Sequence, residues 1–307
     1  MKKKVIAVDL GGTNIRVSLV KNFKILNYIK EKTPKNKKDI LEKLNFLIAD
    51  LMDKDVYGIA VASPGPLKDG VIKNTPNINL KYFDLKNYLK KKYKVKVEVE
   101  NDAKCVALAE SKFGYKKKNF IVLTLGTGIG GGIIIDGKLY KGFDGYAGEV
   151  GHMILDDGKS FEEIWQFLRR KCNNAYLGEL LKRKDKFSKN VVEDTSFYLG
   201  IGISSLINIF DPEIVVLAGG VKGSGDKFLK KVIKYSSPHI IIPRKVPVVW
   251  TKLDHPGTLG AALLFENYND VNEDKLMRFT GVITNKEGKR IKKTIYDNRK
   301  ILSRRFK

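Results

Sequence analysis

Twice along the chain an apolar strand runs into a glycine turn and comes straight back as a second strand. The first passage is Val5-Ile6-Ala7-Val8-Asp9, then Gly11-Gly12-Thr13, then the alternating run Ile15 to Val20, with Lys24 to Ile29 as a third strand. The second is Phe120 to Leu125, a glycine turn over Gly126 to Gly132, then Gly132 to Ile135, with Asp136-Gly137 turning into Lys138-Leu139-Tyr140. Apolar runs and alternation mark strands, and Asp-Gly marks a two-residue hairpin turn. Helical spacing follows each meander. In the first half it covers Ile40, Leu41, Leu44, Leu47, Ile48 and Leu51, before strands at 57–62 and 95–99 and a helix at 103–113. In the second half helices fall near 161–172 and 195–210, then a strand at 214–218, a helix near 228–235, a strand at 246–250 and a helix from Thr258. A long-period repeat constrains a fold more than any single motif. The pattern predicts an α/β protein of two like lobes, 1–114 and 115–266, with both glycine turns facing a cleft between them.

Composition agrees. The 307 residues suit two lobes of ordinary domain size, and 43% hydrophobic residues supply their cores. No apolar run approaches the ~20 residues of a membrane span. The basic start, Met1 to Lys4, leads into a run that Asp9 breaks too early for a signal-peptide core. A cytoplasmic protein with no membrane partner is expected. Cys105 and Cys172 are too few for a disulfide framework or a Cys₄ or Cys₃His zinc site, and read as small buried hydrophobes. The net charge of +24 admits a polyanionic partner. The lysines are spread over predicted helices and turns, however, which favours a solvated surface. In 267–307, twelve Lys/Arg face five Asp/Glu and apolar residues are sparse. That stretch reads as a basic, partly ordered tail, a solvated charge run rather than a nucleic-acid arm, with the arm left open.

The two glycine turns suit phosphate. In Asp9-Leu10-Gly11-Gly12-Thr13-Asn14 a carboxylate ends a buried strand, where it needs a cation or a partner. Gly11 and Gly12 let backbone N–H groups approach an anion, and Thr13 adds a hydroxyl. An ordinary hairpin with a polar turn remains the alternative. In the second turn Gly126, Gly128 and Gly131 match the dinucleotide fingerprint G-x-G-x-x-G. That fingerprint requires a helix after the turn, and here a strand continues through Ile133-Ile134-Ile135. Any phosphate would rest on glycine backbone, not on a helix N-terminus.

Other candidates are weaker alone. At Glu100-Asn101-Asp102-Ala103 a strand gives way to a helix, so Asn101 or Asp102 could be its cap. Asp102 could also be an ionised general base facing the cleft. Ser63-Pro64-Gly65-Pro66 and Asn74-Thr75-Pro76-Asn77 are turns rich in groups that read hydroxyls. Glu149 and His152, three apart, would share one face of a helical turn. Ser160-Phe161-Glu162-Glu163 is a capping box with Glu163 at its third helical position. Gly219-Gly220 ends a strand as a plain turn or as a place for adenine or ribose to pass closely.

In this order the motifs resemble the ROK family, with its repressors and sugar kinases, over about Lys4 to Phe265. The likeness is to its glucokinase-like members. It implies two ribonuclease-H-like lobes closing on hexose and ATP, a homodimer, and Mg²⁺ positioned by Asp9, through water. It implies that Gly11, Gly12, Thr13, Gly126, Thr127 and Gly128 hold phosphates and that Gly219 and Gly220 lie along the adenosine. Asp102 would take the proton from the attacking hydroxyl, the 6-OH. Gly65, Asn77, Asn101, Asp102, Glu149, His152 and Glu162 would bind sugar hydroxyls. Many members follow the His with a cysteine-rich C-x-C-G-x-x-G-C-x-E stretch that binds zinc. Here that stretch is Asp156 to Glu162 and has no cysteine, so no structural zinc is expected. N-acetylhexosamines and fructose are alternative acceptors, and ADP or polyphosphate alternative donors. A regulator of the same family would carry a helix-turn-helix ahead of the first strand, for which five residues leave no room. A non-catalytic sugar sensor would not need Asp102 or intact glycine turns.

Overall fold

The structure, a computed structural model, describes residues 3–73, 75, 78–173 and 177–266. Asn77 and the basic tail 267–307 lie outside the described residues. The chain divides into a unit spanning residues 1–264 and a second spanning 265–307. The elements described below belong to the first.

Strands β1 (Lys4–Leu10), β2 (Asn14–Lys21) and β3 (Lys24–Lys32) form the first meander. Helix α1 (Lys37–Leu51) starts at Asn36, whose side chain accepts the Asp39 N–H, and buries Ile40, Leu44, Leu47, Ile48 and Leu51 as its single apolar stripe. Strand β4 (Val56–Ser63) returns parallel to β1. Short strands β5 (Leu67–Lys68), β6 (Val71–Ile72) and β7 (Phe83–Asp84) make a small separate sheet. Helix α2 (Leu85–Tyr93), strand β8 (Lys96–Asn101) and helix α3 (Asp102–Lys112) complete this half.

The second half repeats the plan. Strands β9 (Phe120–Leu125), β10 (Ile129–Ile135) and β11 (Lys138–Leu139) form its meander. A hairpin of β12 (Ile154–Asp156) and β13 (Lys159–Ser160) leads into α4 (Phe161–Lys171), α5 (Leu177–Leu180) and α6 (Lys186–Phe210). Then come β14 (Ile214–Ala218), α7 (Gly225–Ser236), β15 (Val248–Trp250) and α8 (Pro256–Leu263). The two large sheets have the orders β3-β2-β1-β4-β8 and β11-β10-β9-β14-β15. In each, the first three strands are antiparallel neighbours and the last two join in parallel. The repeat in sequence is a repeat in topology. Each half has its own core, Ile6, Val8, Leu10, Val61 and the α1 stripe in one, Leu123, Trp165, Ile203 and Leu217 in the other.

Two helices cross over. Helix α3 follows the first sheet yet packs on β9 and β10, and α8 follows the second sheet yet packs on β1 and β4. They also pack on each other, so closely that a Cβ on Gly260 would overlap the Cys105 carbonyl oxygen. Among the described residues no helix is long and apolar enough to cross a membrane.

Two sequence expectations need correction. The second glycine turn ends at Gly128, because β10 begins at Ile129. Gly130 and Gly132 are strand residues pressed against α3, where a Cβ would stand 3.0 Å from the Ala103 Cβ and 2.6 Å from the Ala103 carbonyl oxygen respectively. Helix α6 starts at Lys186, not near Thr195, because Asp185 accepts the Ser188 N–H and so caps it earlier. The altered stretch after His152 is a short hairpin, its register shifted between Ile154 and Asp156, turned by Asp157 (φ 41°) and Gly158 (φ 72°).

Candidate active site

The first glycine turn joins β1 to β2 and the second joins β9 to β10, equivalent places in the two sheets. In the first, the Gly11 N–H donates to the Asn14 carbonyl (3.0 Å) and Thr33 Oγ1 donates to the Gly11 carbonyl (2.6 Å), which fixes the turn while Gly12 and Thr13 stay exposed. In the second, the Gly126 N–H donates to the Gly128 carbonyl (3.0 Å) and Thr127 is exposed. The Gly126 carbonyl accepts from Trp165 Nε1 (3.1 Å) and from Arg169, so α4 anchors this turn from behind. No atom lies within 4 Å of where a Gly126 Cβ would stand, so that face is open. Gly128 instead backs onto the Glu162 carboxylate. Gly219 (φ 98°) lets β14 end against the Leu125 backbone, and Gly220 beside it is open. Gly220 also lines an apolar pocket with Leu125, Trp165, Leu177 and Val221.

Helix α3 decides the roles of Asn101 and Asp102. Asn101 is the cap: its Oδ1 accepts the Lys104 N–H (3.2 Å), and its Nδ2 donates to the Gly65 carbonyl (3.2 Å), where Gly65 has φ 81°. Asp102, released from capping, accepts its neighbour's N–H (Ala103, 2.8 Å). Burial pushes the Asp102 carboxyl up to about 7, and the charges of Asp9 and Glu149 add to this; the Ala103 N–H pulls the other way. The helix start was expected to keep this group ionised. Desolvation outweighs it.

Asp9 faces Arg16 across the β1–β2 ladder, with a 2.9 Å ion pair. Burial still raises its pKa, against Arg16 and His255. On its other side is the first turn of α8, where a Gly257 Cβ would stand 3.2 Å from the Asp9 Cγ. Glu149, half-buried, sits at the start of the 3₁₀ turn Val150–His152, which places it and His152 on one face. Its pKa is raised by burial, opposed by Lys104 and His152. His152 itself is exposed. Glu162 accepts the Ile129 N–H (2.7 Å) and the Gln166 amide (3.0 Å), so it ties α4 to the end of the second turn. Asn77 lies outside the described residues.

The fold thus groups Asp9, Asp102 and Glu149 closely enough for their charges to act on one another, with Glu162 acting on Glu149. Among the described residues no cluster of three or more His, Cys, Asp or Glu is placed to hold a metal. A divalent cation fits the Asp9 and Asp102 pair on other grounds. Both are half-buried carboxylates, the Asp9 charge acts on Asp102, and hard cations favour carboxylate oxygen. Sequence reasoning missed Arg16, Lys104, Trp165, Arg169 and Gly257. Only Arg16 left a signal, an opposite charge as far past the hairpin turn as Asp9 lies before it.

The family model described as the ROK family matches residues 5–268. A glucokinase of Halalkalibacterium halodurans is 31% identical over 276 residues, covering 74% of this chain and 83% of that protein. A xylose repressor of Bacillus subtilis is 32% identical over 240 residues, covering 70% of this chain and 61% of the repressor. A ROK family glucokinase from Streptomyces griseus, solved with glucose and AMPPNP, superposes with a TM-score of 0.76 at 26% identity and covers 85% of this chain and 98% of its own.

Proposed function

The chain belongs to the ROK family, and from that membership we propose that it is a sugar kinase that moves the γ-phosphoryl group of ATP to the 6-hydroxyl of glucose. N-acetylhexosamines and fructose are the alternative acceptors. The observation that carries the reading is Asp102, a half-buried carboxylate not used as a helix cap, beside the carboxylates Asp9 and Glu149.

The chemistry follows from those positions. Asp102 accepts the proton of the attacking hydroxyl as the oxygen–phosphorus bond forms and the bond from the γ-phosphorus to the ADP oxygen breaks. Phosphoryl transfer is loose, so a base of modest strength suffices. Backbone N–H groups at Gly12, Thr13, Thr127 and Gly128 and the threonine hydroxyls donate to phosphate oxygens, Gly11 and Gly126 hold the two turns in shape for this through their own N–H bonds, and Gly219 and Gly220 lie along the adenosine. Asp9 would hold Mg²⁺ through water, and the cation would supply the positive charge that phosphate oxygens need. Glu149, His152, Glu162, Asn101, Gly65 and Asn77 read the sugar hydroxyls. The family also contains repressors. Asp102 and the two open glycine turns favour the kinase, since a sensor needs neither.

The test is ADP release from Mg·ATP across a panel of hexoses. Turnover with one sugar and not with water alone supports the reading. Silence with every sugar, while ATP still binds, overturns it. Two further outcomes follow. Asp102 must be ionised to accept a proton and titrates at about 7, so kcat/KM for the sugar should rise about tenfold per pH unit up to about pH 7 and level off above. A profile flat from pH 5.5 to 8 contradicts this. Asp9→Ala should raise the KM for Mg·ATP at least ~10-fold, the worth of a charged contact. If only the sugar KM moved, Asp9 would belong to the acceptor site.

A further inference from the structure

Lys104 lies two residues past Asp102 on α3 and is only 3% exposed. A lysine is almost never so buried without partners. Its ammonium donates to the Gly145 carbonyl; burial lowers its pKa, against the charges of Glu100 and Glu149, which favour the charged form. Gly145 belongs to residues 140–149, the strap that joins β11 to the turn bearing Glu149. That strap is fastened to the first half of the fold at three points. Lys68 Nζ meets Asp144 Oδ1 at 2.5 Å, Lys141 Nζ meets Glu100 Oε2 at 2.5 Å, and Lys104 meets the Gly145 carbonyl. The Lys68 pair is about half exposed on both sides, and the Lys141 side chain is 56% exposed, so solvent weakens both ties. Only the Lys104 tie has its cation out of water.

We propose that Lys104 is a positioning residue for the acceptor: pinned on the Gly145 carbonyl, its ammonium holds the strap against α3 and so presents Glu149 beside Asp102. Buried charge is suited to this, because moving the strap away would strand an ammonium without its acceptor. The groups facing Glu149 are Lys104 and Asp102 from α3, His152 on its own turn and Glu162 from α4. Among these, Lys104 reaches the strap with its side chain from another element, whereas His152 meets it only through its own backbone N–H on the Glu149 carbonyl. The inference rests on the sugar-kinase reading, since it assigns Glu149 to the acceptor.

The experiment compares wild type, Lys104→Met, Lys104→Gln, Lys68→Met, Glu149→Gln and the double variant Lys104→Met/Glu149→Gln, using the hexose that wild type turns over fastest. Lys104→Met should raise the sugar KM 10- to 100-fold and leave the KM for ATP within twofold. Lys104→Gln, which keeps a donor for the carbonyl and guards against a folding failure of the first variant, should give a smaller rise in the same direction. Lys68→Met should change neither KM more than threefold. The double variant should be little worse than Glu149→Gln alone, because the lysine acts through that carboxylate. A sugar KM within threefold of wild type in Lys104→Gln, an equal rise in both KM values, or effects that simply multiply in the double variant would overturn the proposal while leaving the kinase reading intact. A wild type that phosphorylates no hexose would defeat that reading, and this inference with it.

Discussion

Asp102→Asn should lower kcat by at least ~10², the usual loss when a general base is removed, while making the folded protein more stable at pH 8. The variant keeps the shape of the side chain and its bond to the Ala103 N–H, and takes away only the capacity to accept a proton. The stability gain comes from the raised carboxyl. Below about pH 4 Asp102 is protonated folded and unfolded alike and costs nothing. As pH rises from 4 to about 7 the unfolded chain ionises this group while the fold resists, so stability is lost progressively, and above 7 a buried charge persists in the fold. A rise to about 7 from 3.8 is worth at most about 4 kcal/mol. Partial exposure to solvent reduces this to roughly 1–3 kcal/mol, a few degrees in melting temperature for a chain of this size. The gap between variant and wild type should narrow toward pH 4. A variant both inactive and less stable at pH 8 would mean that Asp102 holds the fold together rather than serving the reaction.

Gly260→Ala should be the most damaging small substitution on the α3–α8 crossing. The added methyl would overlap the Cys105 carbonyl oxygen, which is backbone and cannot rotate aside. The two helices must part, at a cost of about 3 kcal/mol or more. Their separation matters beyond stability. Helix α3 carries Asp102 at its start, and the first turn of α8 abuts Asp9 at Gly257. Activity should therefore fall further than the unfolded fraction explains. Gly223→Ala is the control, since no atom lies within 4 Å of its added methyl. It should stay within about 0.5 kcal/mol of wild type. Equal melting temperatures for the two variants would refute the close crossing.

Both predictions depend on features that the sequence reveals unequally. The doubled sheet is legible because period-two strands and glycine turns are local signals, and they recur in the same order. A cap at Asn101 or Asp102, which the structure gives to Asn101, and the capping box at Ser160 and Glu163 are legible for the same reason. The rest depends on distant contacts. Gly130 and Gly132 look like a longer phosphate loop, yet they are glycines because α3 lies on them, and α3 comes from the other half of the chain. Lys104 looks like one more surface lysine among 58 Lys and Arg, and only the strap over it makes it buried. Trp165 and Arg169 look like parts of an amphipathic helix, and their bonds to the Gly126 carbonyl connect residues some forty positions apart. Asp157-Gly158 after His152 is, by contrast, a local turn signal, and it turns the β12–β13 hairpin.

If the chain is a sugar kinase, a phosphoryl group leaves ATP for a sugar oxygen. Phosphorus NMR of a mixture of protein, Mg·ATP and glucose, repeated with the other hexoses, reads this directly. A new phosphomonoester resonance should grow in step with ADP for one sugar and be absent with Asp102→Asn. ADP accompanied only by inorganic phosphate, or unchanged ATP beside every sugar, would contradict the sugar-kinase reading.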